Sequence, residues 1–250
     1  MGAVGEGIIF APRRQSYNSA VGEHDVLLVV DVQNDFMPGG ALAVPRGDEV
    51  VPVINALAGR FANVVITQDW HTPAHISFAT SHAGRKPFER VELHYGEQVL
   101  WPEHCVQGTE GAALHRQLVI PHAQLVLRKG HHRHVDSYSA FVEGDGKHAT
   151  GLAGYLRERG IERIFICGLA TDFCVAWTAL DARKAGFEAV VIEDACRAID
   201  TGGSLAVAWR DMDAAGVKRI SSRELANLDA GQLAPAPRVQ SKEGSGKRHG

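Results

Sequence analysis

The stretch Val26-Leu-Leu-Val-Val30-Asp31 decides the fold. Five consecutive apolar residues are too few for a helix of ordinary length. They read as a strand buried on both faces, which is the mark of a parallel sheet. The run closes on an aspartate, so a carboxylate stands where the chain leaves the sheet. Four further runs share this character, at residues 64–67, 125–127, 164–167 and 189–192. Helical patterns alternate with them at residues 48–60, 150–159, 172–185, 203–215 and, briefly, 222–227, and Gly160 and Gly186 supply natural stops. Strand followed by helix, repeated, predicts an α/β fold of three αβα layers: a doubly wound, mainly parallel sheet flanked by helices. The connection from Asp69 to Gln124 is long for a compact domain, and such segments usually carry binding or catalytic residues.

The composition narrows the function. With 45% apolar residues in 250, the chain can bury one large core. The organisation expected is an accessory N-terminal extension over residues 1–24, a single domain over 25–232, and a polar tail over 233–250. A formal net charge of −3 with interspersed signs offers no basic face, so nucleic acid is not an expected partner. No run of apolar residues suits a membrane span or a signal peptide, and a cytoplasmic location with no membrane partner is expected. The four cysteines lack Cys-x-x-Cys spacing, which argues against a disulfide framework or a zinc knuckle. A special cysteine here is therefore special for its reactivity.

In open α/β sheets, ligands bind beyond the carboxyl ends of the strands. Asp31, Asp69, Lys129 and Cys174 each follow one of the expected strands, so the fold predicts that they converge at one sheet edge. Cys174 lies in Gly168-Leu-Ala-Thr-Asp-Phe-Cys174, where a strand passes through small residues into a helix start. Backbone amides at such a start favour negative charge, which predicts a lowered thiol pKa and donors for an oxyanion. A carboxylate such as Asp31 can take the thiol proton and return it to a leaving amine, and the ammonium of Lys129 can steady both charges.

A second constellation is Asp69-Trp-His71-Thr-Pro-Ala-His75, joined much later by Trp101-Pro-Glu-His104. One carboxylate with two or three imidazoles and no thiolate suits a divalent metal ion such as zinc, manganese or iron. Few protein ligands leave coordination positions for a substrate atom. The run His131-His-Arg-His134 also has metal-ligand character, but nothing in the sequence orders it onto an element, and it reads as a solvated loop.

Taken together, these residues resemble the nicotinamidases (including pyrazinamidases) of the isochorismatase-like cysteine hydrolases. The motifs that carry the resemblance are Val30-Asp-Val-Gln-Asn-Asp-Phe-Met-Pro-Gly-Gly40, Gln68-Asp-Trp-His71, His75-Ile-Ser-Phe-Ala79, Trp101-Pro-Glu-His-Cys-Val-Gln-Gly-Thr109, Lys129-Gly130 and the Cys174 segment, in that order. The resemblance implies a triad of Asp31, Lys129 and Cys174. It also implies a metal held by Asp69, His71 and His104, with His75 as a ligand in some members and a neighbour in others. It further implies a pyridine ring between Phe36 and Trp101, Tyr138 lining the pocket, and a cis peptide before Ala170 whose amide joins that of Cys174 in an oxyanion hole. The His131–His134 run and the terminal extensions fall outside the pattern.

The activity implied is hydrolysis of nicotinamide to nicotinic acid and ammonia through a cysteine thioester, in NAD salvage, with pyrazinamide also accepted. The expected partners are the small-molecule substrate and a second copy of the chain. Two alternatives stand beside it. Another amidase of the superfamily, acting on a ureido, carbamoyl or maleamate-like compound, needs the triad without the ring-binding metal. A non-catalytic metal-binding or redox-sensing module needs the thiol without Asp31 and Lys129. A dinucleotide-binding reading fails because no Gly-x-Gly-x-x-Gly follows the first strand.

Overall fold

The computed structural model describes residues 20–233. The tail from residue 234 and the extension up to residue 19 lie outside the described residues. Residues 20–24 already pack on the domain, since Arg163 Nη2 donates to the Ala20 carbonyl at 2.8 Å and Arg163 N–H reaches the His24 carbonyl.

Six strands form one sheet in the order β5-β2-β1-β6-β7-β8, and every neighbouring pair is parallel. They are β1 (Asp25–Val30), β2 (Asn63–Asp69), β5 (Leu125–Lys129), β6 (Arg163–Leu169), β7 (Glu188–Arg197) and β8 (Lys218–Ile220). β1 and β6 lie side by side at the centre, and nearly every residue of both is buried, as their continuous apolar runs require. The order reverses between β1 and β6, which opens a crevice at their carboxyl ends.

Among the described residues four α-helices connect strands, α1 (Val50–Ala58), α2 (Leu152–Glu158), α3 (Ala176–Lys184) and α4 (Ser204–Ala214), and α5 (Ser222–Leu233) follows β8. β2 lies on one side of β1, whereas β6, β7 and β8 are reached by moves in the opposite direction. Right-handed crossovers therefore put α1 on one face of the sheet and α2, α3 and α4 on the other. α5 packs beside α1, where Arg60 reaches the Ala226 carbonyl. α1 turns Val50, Val51, Ile54 and Leu57 inward, and each such side chain contributes about 1.5–3 kcal/mol on burial.

Two elements depart from the sequence reading. The long connection from Asp69 contains an antiparallel hairpin, β3 (Arg90–Leu93) and β4 (Gly96–Val99), separate from the main sheet. Its residues alternate in exposure and include Glu92, Glu97 and Gln98, so no apolar run announces it. β8 has three residues, Lys218-Arg-Ile220, which is too short for a periodic signal. No helix among the described residues is long and apolar enough to cross a membrane.

Candidate active site

The sheet brings the four strand-end residues together. Asp69 and Lys129 are register partners at the ends of β2 and β5. Val30, the residue before Asp31, pairs with Gly168 near the end of β6. That close approach needs glycine, because a Cβ at position 168 would lie 2.0 Å from the Val30 carbonyl oxygen. Beyond β6 the Leu169–Ala170 peptide is cis, and the chain makes one wide turn in which the Val175 N–H donates to the Ala170 carbonyl. Cys174 sits in that turn, just before α3. Asp172 ties the turn to the next loop by accepting from the N–H groups of Ile199 and Asp200 and from Ser204 Oγ.

Lys129 is the hub. Its Nζ lies 2.8 Å from Asp31 Oδ2, 2.5 Å from Asp69 Oδ1 and 3.4 Å from Cys174 Sγ, and it donates to the Ser137 carbonyl at 2.9 Å. The lysine is wholly buried, and the two carboxylates and the thiol are buried around it. Burial alone would lower the Lys129 pKa, but Asp31 and then Asp69 outweigh it and hold the ammonium charged well beyond its ordinary range. Asp31 is in the left-handed backbone region at φ 50°. It is held there by Thr67, whose Oγ1 accepts the Asp31 N–H and donates to Oδ1 at 2.6 Å. Oδ2 is the oxygen that faces the Lys129 ammonium. Burial raises the Asp31 pKa against the pull of Lys129, with Asp69 adding to the rise.

The helix-start position predicts a lowered thiol pKa, and here the structure differs. Burial pushes the Cys174 thiol well above its ordinary value; Lys129 opposes this, while Asp31 and Asp69 reinforce it. A buried thiol facing two carboxylates stays protonated until its proton has somewhere to go, and Asp31 is the hydrogen-bonded neighbour.

Asp69 joins this cluster to the imidazoles. While Oδ1 faces Lys129, Oδ2 lies 3.5 Å from His71 Nε2 and 3.8 Å from His104 Nε2. Both histidines anchor Nδ1 on a backbone carbonyl at 2.9 Å, His71 on Gly130 and His104 on Pro102, which turns each Nε2 toward the carboxylate. Gly130, at φ 65°, permits this, since a Cβ there would come within 2.7 Å of His71 Cε1. Burial would raise Asp69, but Lys129 and then His71 hold it well below the usual carboxylate range. Burial and the neighbouring His71 lower His104 to about 4, whereas Asp69 overcomes burial to raise His71. One carboxylate oxygen and two oriented imidazole nitrogens within 4.8 Å of one another fit a divalent cation, and their carbonyl anchors match those of metal-ligating histidines.

His75 lies against His71, with ring centroids 4.3 Å apart, but both of its nitrogens are engaged. Nδ1 meets Ser77 Oγ at 2.8 Å, and Nε2 meets the carbonyls of His132 and Val135 at 3.0 and 3.1 Å. Phe36 packs beside His104 at 5.6 Å, and Trp101 meets Phe173 edge-on at 4.9 Å, next to Cys174 in sequence. Trp101 Nε1 donates to Tyr138 Oη at 2.9 Å, and Gln98 Nε2 donates to the same oxygen, so Tyr138 fixes the indole.

Some contributors had no assigned role in the sequence reading. Gln33 clamps Asp69 by donating Nε2 to its carbonyl at 2.8 Å and accepting its N–H on Oε1 at 2.8 Å. Thr67 and Gln33 are both buried, and a polar residue inside or just after an otherwise apolar run is the signal that could have found them. Asp35 accepts the Cys105 N–H at 2.7 Å and so holds the segment that carries His104.

Comparison with known proteins agrees with this geometry. The Isochorismatase domain model matches residues 25–224. The chain is 61% identical to the nicotinamidase of Acinetobacter baylyi over 80% of this chain and 93% of that protein. Among solved structures, a nicotinamidase/pyrazinamidase of Acinetobacter baumanii superposes with a TM-score of 0.81 at 60% identity, covering 82% of this chain and 99% of that one. A pyrazinamidase of Pyrococcus horikoshii in complex with zinc superposes at 0.65 with 37% identity, covering 79% and 99%. A matched model spanning the whole sheet, on a chain whose strand ends bring a thiol, a lysine and two carboxylates together, places this protein in the isochorismatase family.

Proposed function

We propose that the protein is a nicotinamide deamidase that hydrolyses nicotinamide to nicotinic acid and ammonia, with pyrazinamide as a second substrate, in NAD salvage in the cytoplasm. The observation that carries this reading is the continuity of the site. Lys129 is within 3.4 Å of the Cys174 sulfur and 2.5 Å of Asp69, whose other oxygen faces two oriented imidazoles. A nucleophile and a candidate cation site thus share one buried cluster, which suits a substrate with a reactive amide at one end and a ring donor atom at the other.

Asp31, whose pKa burial raises and whose nearest thiol is Cys174, accepts the Cys174 proton. The thiolate attacks the carboxamide carbon, and the oxyanion is held by the Ala170 and Cys174 amides. Collapse of that adduct expels ammonia, which takes the proton from Asp31. A water then gives a proton to Asp31 and attacks the thioester, releasing nicotinic acid and returning the thiol. Lys129 keeps its proton throughout and balances whichever carboxylate or sulfur bears the charge. Asp69, His71 and His104 would hold one divalent ion, zinc before manganese or iron, with His75 supporting His71 from behind. When bound, that ion supplies a Lewis-acid contact for the pyridine nitrogen. Phe36 and Trp101 would flank the ring.

The alternative amidase reading keeps the triad but gives the Asp69, His71 and His104 set nothing to do. The test is ammonia release from nicotinamide before and after chelation, with zinc, manganese or iron added back. Metal-dependent release supports the reading. No release with any of the three ions would move the substrate to a different small amide.

A further inference from the structure

The second cluster of histidines lies outside the active site. The run His131-His-Arg-His134 follows Gly130 directly, yet the structure orders it more than a solvated loop requires. The carbonyls of His132 and Val135 accept from His75, and the Arg133 carbonyl accepts the Ile76 N–H. The rings of His131 and His132 lie tilted against each other with centroids 4.2 Å apart, and His148 lies 5.0 Å from His132.

Two carboxylates stand behind these rings. His132 Nδ1 meets Glu143 Oε2 at 2.6 Å, and His148 Nδ1 meets Asp145 Oδ2 at 2.6 Å. Glu143 is buried with a relative exposure of 3%, and His132 is its imidazole partner. A short turn holds both partners in place: Val142 bridges Ala149, the Glu143 N–H donates to the His148 carbonyl at 2.9 Å, and Asp145 Oδ1 accepts the N–H groups of Lys147 and His148. Arg133, the nearest cation in sequence, is turned toward the Ala74 carbonyl.

We propose that His131, His132 and Glu143, with His148 beside them, form a peripheral site for a second divalent metal ion of the zinc class. The donor atoms of the first three lie within 4.8 Å of one another. Zinc ligands at about 2.1 Å sit about 3.4 Å apart around a tetrahedron, so modest side-chain rotations close the set. Imidazole and carboxylate donors select zinc or a neighbouring transition metal over magnesium, which keeps its waters. The Asp145 carboxylate on the far nitrogen of His148 is the arrangement that fixes ring orientation around metals. The site also occupies the segment that delivers the Ser137 carbonyl to Lys129, so an ion there braces the catalytic lysine from outside.

The assignment uses none of the active-site ligands and is tested separately from them. Zinc binding to the full chain is followed by equilibrium dialysis against excess magnesium, for wild type, His131→Ala and His132→Ala. The expected result is two zinc ions per wild-type chain, one of which loses at least about tenfold in affinity in each variant while the other is kept. Identical zinc stoichiometry and affinity in all three proteins would overturn the site. Glu143→Gln gives the third arm: a tenfold or greater loss of the same zinc supports the carboxylate's part, and no change removes it from the site.

Discussion

The two ends of the sheet use similar charges for different purposes. β1 begins with Asp25 and is followed by Asp31; β6 begins with Arg163 and leads to Cys174. At the amino end, Arg163 meets Asp25 through two hydrogen bonds, Nε to Oδ1 at 2.7 Å and Nη2 to Oδ2 at 2.5 Å, and Oδ2 also accepts the Gly22 N–H. One anion faces one cation and both carboxylate oxygens have donors. At the carboxyl end, one ammonium is shared by two carboxylates and a thiol, and the backbone of Asp31 is left-handed. A balanced pair closes a strand end. An unbalanced one, kept dry, is ready to move a proton.

Substitutions matched between the two ends sharpen this contrast. Asp31→Asn should lower kcat/KM for nicotinamide by about 10²–10⁴-fold, the usual worth of a positioned general acid–base, whereas Asp25→Asn should leave it within about twofold. Equal losses from both would erase the distinction. Lys129→Met leaves two carboxylates buried without their cation and should cost about 3–5 kcal/mol in urea unfolding. Arg163→Met, at a pair 13% and 5% exposed, should cost about 1–2 kcal/mol. The smallest expected effect comes from two glycines with nearly the same backbone, Gly130 at φ 65° and Gly160 at φ 67°. Alanine at either costs about 1–2 kcal/mol for the left-handed conformation. Only Gly130→Ala pushes on His71, so it alone should weaken zinc binding at the active site, by about tenfold or more in a competition titration.

Much of this contrast was legible in the sequence, for a definite reason. Asp31, Asp69, Lys129 and Cys174 stand at or beyond strand ends, although β5 is an edge strand with Val126 exposed and not the buried run expected; a parallel sheet puts all strand ends of one kind on one edge, so fold class sufficed to bring them together. The hairpin of β3 and β4 escaped because its short, polar strands bury little. The direction of the Cys174 shift escaped because local sequence reports the helix start, while the burial that overrides it, reinforced by carboxylates from β1 and β2, comes from the tertiary fold. The engagement of both His75 nitrogens was likewise invisible, since their partners at His132 and Val135 come from a distant segment. The order in the His131–His134 run draws on Glu143, which no spacing rule connects to it.

The central claim is that Cys174 is the nucleophile of a nicotinamide deamidase. It is tested most directly by measuring ammonia release from nicotinamide by Cys174→Ala and wild type at equal metal loading. The account predicts release by wild type and a rate for the variant no greater than that of protein-free buffer. Release by Cys174→Ala at the wild-type rate would contradict it.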